Sequence, residues 1–270
     1  MKRKALFFDV DGTLLSEITH QVPESAKRAL SETRKRGNLV FINSGRGYGF
    51  LRDIEQMIEH DGCLCGCGTC VADAEGHIHL QYRIPHERGI EIKKAVLRYG
   101  FDGILEATEG NYFREELSWI PKVNEFRKAQ VATGFVVDKG WNDNSYDYDK
   151  LCVMADEHSD RDGLFHFLEP DMVVIDRGDN FYECVPKGYS KATAIEWTLR
   201  HYGIDFEDSY VFGDSSNDLS MFEYAKHAVL MGRHDAVLEP YAPRDKNGGR
   251  RRDRICNERA GTYQIVGTMW

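Results

Sequence analysis

Short apolar runs separated by helical stripes organise the chain. Residues 4–10 and 38–43 are apolar runs of strand length. Between them Ala26, Ala29, Leu30 and Thr33 recur at helical spacing, after Pro23 and before Gly37, which is the punctuation expected of a helix. The three together predict a β-α-β unit. The pattern returns late in the chain, where Ser190 can cap a helix with an apolar stripe of Ala192, Ile195, Leu199 and Tyr202. An apolar run over residues 209–212, a helix from Asp218 and a run over residues 227–231 follow. Strands alternating with helices predict a largely parallel sheet covered on both faces, with chemistry at the carboxyl ends of its strands.

Residues 81–184 read differently. Strand candidates at 103–107, 151–155, 172–176 and 181–185 are joined by long polar stretches, which predicts an inserted α+β domain. A length of 270 residues leaves room for a core and an insertion. With 41% hydrophobic and 29% charged residues, the composition is that of a packed protein rather than a disordered one. Lysine and arginine number 35 against 44 aspartates and glutamates, a net charge of -9 that disfavours nucleic acid and anionic membranes as partners. An anionic ligand therefore needs a local positive pocket. The basic start Met-Lys-Arg-Lys is followed by only a brief apolar stretch before Asp9 and Asp11, so no secretory signal is expected. No run approaches the roughly 18 apolar residues that cross a bilayer. Seven cysteines, an odd number, argue for a reducing compartment over a disulfide scaffold, and a cytoplasmic location is expected. Nothing in the sequence speaks to oligomeric state.

The first strand ends in Asp9-Val-Asp11-Gly12-Thr13. Residues two apart in an extended chain point to one side, so Asp9 and Asp11 are expected to share a small space, with Gly12 permitting the turn away. Like charges that close call for a cation or a proton, and a hard divalent ion such as Mg²⁺ suits such oxygen donors. An acidic pair after a strand is often only a solvated turn, so the other strand ends decide. Asn43-Ser44-Gly45-Arg46 supplies a hydroxyl and flexible backbone amides that suit a phosphate. Lys191 sits in the first turn of the Ser190 helix, where its ammonium adds to the positive helix end. Gly213-Asp214-Ser215-Ser216-Asn217-Asp218 brings two more carboxylates.

In this order the four segments resemble the motifs of the haloacid dehalogenase superfamily, specifically its Cof-type phosphatases with a large cap between the second and third motifs. Asp9-Val-Asp-Gly-Thr-Leu-Leu matches the first, Ser44-Gly45-Arg46 the second, Pro186-Lys-Gly-Tyr-Ser-Lys191 the third and Gly213-Asp-Ser-Ser-Asn-Asp218 the fourth. The resemblance implies an α/β fold: a Rossmann-like parallel-sheet core over residues 1–80 and 185–270, with residues 81–184 as an inserted α+β cap. It implies a hydrolase that removes phosphate from small phosphorylated metabolites, sugar phosphates foremost, through an aspartyl-phosphate. Asp9 would be the nucleophile and Asp11 the acid and base. The Asp9 carboxylate, the Asp11 carbonyl and Asp214 would hold Mg²⁺. Ser44, the Gly45 amide, Lys191 and Asn217 would bind the phosphoryl group, supported by Asp218 and Arg46. A phosphomutase using the same aspartyl-phosphate and a non-catalytic phosphate-ligand sensor are the alternatives.

Three segments invite other readings. Gly45-Arg-Gly47-Tyr-Gly49 after a strand is similar to a dinucleotide-binding loop, although the third glycine is one residue early. Cys63, Cys65, Cys67 and Cys70, followed by His77 and His79, could gather a soft metal such as zinc, or could simply fill tight β-loops. Glu106, Tyr112, Arg114, Trp119 and Lys122 of the insertion read as ordinary surface and core rather than as site residues. After Ala242 the chain departs from the expected ending with an Arg-rich stretch over residues 243–254. It reads as a solvated basic tail or as the product of a reading-frame change, the latter excluded if residues 255–266 pack on the core.

Overall fold

The computed structural model of the chain describes residues 2–16 and 19–241. The Arg-rich tail, and with it the frame-change reading, lies outside the described residues. Two sheets carry the fold. The first contains β1 (Ala5–Phe8), β2 (Leu39–Asn43), β3 (Gly62–Cys65), β4 (Cys70–Asp73) and β5 (Ile78–Gln81) from the beginning of the chain. The second consists of β6 (Asp102–Ala107), β7 (Gly110–Tyr112), β8 (Lys150–Met154), β9 (Met172–Asp176) and β10 (Phe181–Pro186). The chain then returns to the first sheet through β11 (Ser209–Gly213) and β12 (His227–Leu230).

The first sheet runs β12-β11-β1-β2-β3-β4-β5; its first five strands are parallel, and β4 and β5 close the edge antiparallel. Strands β1 and β2 are buried throughout and apolar up to Asn43, as strands covered on both faces must be. On one face Phe7, Phe41, Leu64, Ile195, Leu199 and Met221 pack together, and on the other Leu6, Val40, Ile42, Leu30 and Ile54 do. The covering helices among the described residues are α1 (Glu24–Lys35), the short α2 (Arg52–Glu55), and later α6 (Lys191–Tyr202) and α7 (Leu219–Tyr224), with α3, α4 and α5 belonging to the other sheet. Helix α1 follows Pro23 and places Glu24 in its first turn and Arg34 and Lys35 in its last, matching charge to the helix dipole.

The second sheet, β7-β6-β8-β10-β9, is antiparallel throughout. Helices α3 (His86–Arg98) and α5 (Arg161–Leu168) close one face over Leu105, Leu151, Val153 and Cys184. Helix α4 (Pro121–Val131) covers only part of the other face, where Val123 packs with Ile104 and Met154. None of these three helices was assigned from the sequence, although α3 buries Ile92, Ala95 and Val96 and α5 buries Leu164 and Leu168 at helical spacing. The uncovered part of that face carries charged residues and points at the first sheet.

Candidate active site

Strand register brings distant segments to one edge. Phe8 pairs with Phe212 on one side and Ile42 on the other, so the residues after them, Asp9, Asn43 with Ser44, and Gly213 with Asp214, leave the sheet together. Asp9 is buried, and its backbone N–H donates to the Phe212 carbonyl at 2.9 Å. Gly12 then turns with φ +82°, and any side chain there would run into the Asp214 carboxylate. Thr13 Oγ1 donates to Asp214 Oδ1 at 2.7 Å, tying the first loop to the fourth.

Lys191 enters from α6. Ser190 caps that helix: its hydroxyl accepts from the Thr193 N–H at 3.2 Å, while the Thr193 hydroxyl accepts from the Ser190 N–H at 2.9 Å. This reciprocal pair aims the first helical residue, Lys191, at the strand ends. The Lys191 ammonium donates to Asp9 Oδ1 and Asp218 Oδ1, each at 2.5 Å, and stands 3.5 Å from Asn217 Oδ1. Asp218 Oδ2 accepts from the backbone N–H of Asp214 at 2.9 Å and of Ser215 at 3.0 Å. One buried carboxylate thus folds the fourth loop and orients the lysine.

Carboxylate oxygens of Asp9, Asp214 and Asp218 lie within 4.8 Å of one another. Burial, then the neighbouring charge of Asp218, push the Asp9 carboxyl up to about 8, against the opposing pull of Lys191 and with a further contribution from Asp214. Burial works against the Lys191 charge, but Asp218 and Asp9 overcome it and raise the lysine above its ordinary value. One ammonium among three carboxylates leaves the site short of positive charge. Its all-oxygen, anionic donor set is the kind a hard divalent cation takes.

Asp11 is not in this group. Its side chain is 59% exposed and holds Arg46 through two hydrogen bonds, Nη2 to Oδ1 at 2.5 Å and Nε to Oδ2 at 2.9 Å. The expectation that Asp9 and Asp11 share one space is corrected: β1 ends at Phe8 and the chain is already turning at Val10, so the two-residue alternation of a strand no longer applies. Ser44 is buried; its hydroxyl accepts from the Arg46 N–H at 3.1 Å and its own N–H donates to the Leu64 carbonyl at 2.8 Å. A Cβ on Gly45 would stand 3.2 Å from Asn217 Nδ2 and 3.1 Å from Glu183 Oε1, so Asn217 and a residue of β10 both crowd this loop.

Glu183 belongs to a set that sequence reasoning missed. Lys150 on β8 is buried and donates to Glu183 Oε1 at 2.5 Å and Glu106 Oε1 at 3.2 Å. Glu106 Oε2 accepts from the Gly47 N–H at 3.2 Å, and Cys67 Sγ donates to Glu183 Oε1 at 3.2 Å. The charged face of the second sheet is therefore clamped onto the loop of residues 44–47 and the turn at Cys67 in the first. A lysine and two glutamates at inward positions of otherwise apolar strands are the available signal, because a charge there needs a buried partner. The other residues considered in the insertion are structural: Tyr112 stacks on Tyr146 at 3.8 Å, Arg114 pairs with Asp102 at 3.1 Å and covers Trp119, and Lys122 covers Phe181.

Cys63, Cys65 and Cys70 share one core cluster, but no three of the cysteines come together as a ligand set among the described residues. Cys65 and Cys70 face each other across β3 and β4, Cys67 turns to Glu183, and His77 and His79 both bond Asp73 instead. The glycines after β2 lead into a 3-10 turn at Tyr48–Leu51 and the four-residue α2, with no full helix to receive a pyrophosphate.

Residues 6–243 match the haloacid dehalogenase-like hydrolase family. The chain belongs to that family. A Streptococcus pyogenes protein named as a bifunctional phosphatase and peptidyl-prolyl cis-trans isomerase is 30% identical over 89% of this chain, which spans 50% of that protein's length. The 5-amino-6-(5-phospho-D-ribitylamino)uracil phosphatase YwtE of Bacillus subtilis is 25% identical over 84% of this chain and 87% of its own. The HMP-PP phosphatase of Serratia proteamaculans is 26% identical over 87% and 86%. Among solved structures, phosphatase BT1666 from Bacteroides thetaiotaomicron superposes with a TM-score of 0.76 at 26% identity, covering 89% of this chain and 88% of that one. As an enzyme of this family the chain is a phosphatase, built on the α/β fold its sequence implied. No helix among the described residues is long and apolar enough to cross a membrane.

Proposed function

We propose that the chain is a Mg²⁺-dependent phosphatase of small phosphorylated metabolites, with sugar phosphates the leading class, and that it works through an aspartyl-phosphate on Asp9. The observation that carries the proposal is the gathering of Asp9, Asp214, Asp218 and Lys191 at the ends of the parallel strands. Asp9, Asp214 and the Asp11 carbonyl would hold the cation, which when bound would neutralise charge between a carboxylate nucleophile and an anionic phosphoryl group.

The chain's own residues supply the rest. Asp9 attacks phosphorus, forming an O–P bond as the alcohol oxygen leaves, and water then hydrolyses the acyl-phosphate. Lys191, the Ser44 hydroxyl, the Gly45 amide and Asn217 bind the phosphoryl oxygens, and Asp218 positions Lys191. Asp11 protonates the leaving alcohol and deprotonates the incoming water, which requires its pair with Arg46 to open when substrate is bound. Residues 81–184 act as a cap that excludes water, with Glu106, Lys150 and Glu183 lining its inner face. A cytoplasmic setting is supported by the odd number of cysteines.

A panel of sugar phosphates, nucleotides and cofactor phosphates tests this reading. Chelation should abolish phosphate release and Mg²⁺ restore it, and Asp9→Asn should remove it at every substrate. Asp11→Asn should lower kcat by about 10²- to 10⁴-fold and let a phosphorylated enzyme accumulate. Turnover surviving in Asp9→Asn would sink the mechanism.

A further inference from the structure

Of the clustered cysteines, only Cys63 belongs to a group of three potential metal ligands among the described residues. Cys63, on β3, is fully buried, with Glu55 Oε1 3.2 Å and His60 Nδ1 4.0 Å from its sulfur. One ligand atom from each of the three lies within 4.8 Å of the others. In a tetrahedral zinc site sulfur and nitrogen ligands stand about 3.5 Å apart, between the two separations seen here. The three residues fall within a single short stretch, residues 55–63, so little chain entropy opposes their meeting.

Two other readings fit less well. A nucleophilic cysteine needs a histidine base on its thiol and a carboxylate behind the histidine. Here the carboxylate faces the thiol itself, and burial followed by Glu55 holds the thiol well above its ordinary value. Nor is the set plain core: Cys63 lies in an apolar cluster with Ile42, Ile54 and Ile58, yet a carboxylate and an imidazole both face its sulfur. The nearest cation, Arg34, is held by Asp61 at 3.1 and 2.9 Å.

We propose that Glu55, His60 and Cys63 form a second metal site, separate from the carboxylate group at Asp9, that takes Zn²⁺ or a similar borderline divalent ion with solvent as fourth ligand. On binding, the Cys63 S–H proton passes to solvent and a metal–sulfur bond replaces it; thiolate, carboxylate and the dication then sum to zero charge in a buried place. The site braces the phosphate loop from both sides. Glu55 ends the segment that follows Ser44, Gly45 and Arg46, while β3 leads into a turn where the Gly66 N–H donates to the Arg46 carbonyl at 2.8 Å and the Cys67 N–H to the Ser44 carbonyl at 3.2 Å.

The test is Co²⁺ and Zn²⁺ titration of the full, tag-free, reduced chain in excess Mg²⁺. One equivalent of Co²⁺ should give a thiolate-to-cobalt charge-transfer band that Zn²⁺ displaces. The band should vanish in Cys63→Ser and the affinity fall at least about tenfold in His60→Gln, while Cys65→Ser, Cys67→Ser and Asp9→Asn retain it. Near-ultraviolet circular dichroism identifies the folded variants, and His60→Gln decides if Cys63→Ser does not fold. Asp9→Asn separates this site from the phosphatase reading, since it should keep the band and lose turnover. Absence of the band in folded protein, its survival in Cys63→Ser, or unchanged affinity in His60→Gln would overturn the proposal.

Discussion

Lys191 is buried between two acids, and such a cation is worth most when it is removed. Lys191→Met leaves Asp9 and Asp218 buried beside Asp214 with no ammonium, and should cost about 3–5 kcal/mol of stability. Thermal unfolding checks this, with added Mg²⁺ recovering part of the loss. Asp149 shows the opposite case. Its Oδ2 accepts from Thr108 Oγ1 at 3.1 Å, its buried Oδ1 accepts no hydrogen bond, and Arg83 stands 3.9 Å away. Burial pushes this carboxyl up to about 7. Because the folded value lies above the unfolded one, the protonated acid favours the fold at low pH, and that contribution is lost as pH rises through about 7. Asp149→Asn should therefore be more stable than the parent at pH 8, by up to about 4 kcal/mol, with the gain disappearing towards pH 4. Equal midpoints at both pH values would contradict the assignment. The resemblance gave Asp218 a supporting place beside the phosphoryl-binding residues; the charge state of Asp149 was not anticipated, because burial is a property of the packed chain.

The first turn of α6 carries the argument at the scale of an element. Ser190 and Thr193 satisfy each other's N–H groups and thereby fix where Lys191 emerges. Ser190→Ala should cost about 1 kcal/mol and lower kcat as well, since the lysine loses its anchor; Ser190→Asp, which can also cap, should restore stability. Chemical denaturation and steady-state kinetics read the two effects separately. Serine before an apolar helical stripe is a local signal, so this element was legible. The turn after β1 was only partly so. Gly12 was recognised as the turning residue, but where the strand stops depends on the pairing of Phe8 with Phe212 and Ile42 from elsewhere in the chain. For that reason Asp9 and Asp11 part company although they are two residues apart.

Across the whole molecule, the second sheet meets the first through a set of buried charges that makes hydrogen bonds across, beside an aromatic contact of Phe50 with Phe135 at 5.3 Å. Lys150 bridges Glu106 and Glu183, and Glu106 holds the Gly47 N–H. A clamp of this kind can open, because its groups can all be hydrated when the sheets separate. Glu106→Ala should speed hydrogen exchange at the Gly47 amide without lowering protection in β1 and β2, measured by exchange with mass spectrometry. Slow exchange at Gly47 in that variant would show that the bond does not hold the sheets together.

Periodicity, capping and the residues at strand ends are local properties, and from them the sequence alone determined the α/β class and pointed to Asp9, Lys191, Asp214 and Asp218 as residues at the ends of its strands. Tertiary structure decided what depends on distance between chain segments. It turned Asp11 towards Arg46, set Lys150 and Glu183 against the loop of residues 44–47, and sent Cys67 to Glu183 while Cys63 met Glu55 and His60. The division has a physical cause: a side chain's neighbours along the chain follow from backbone geometry, whereas its neighbours across a sheet or between two sheets follow from register and packing.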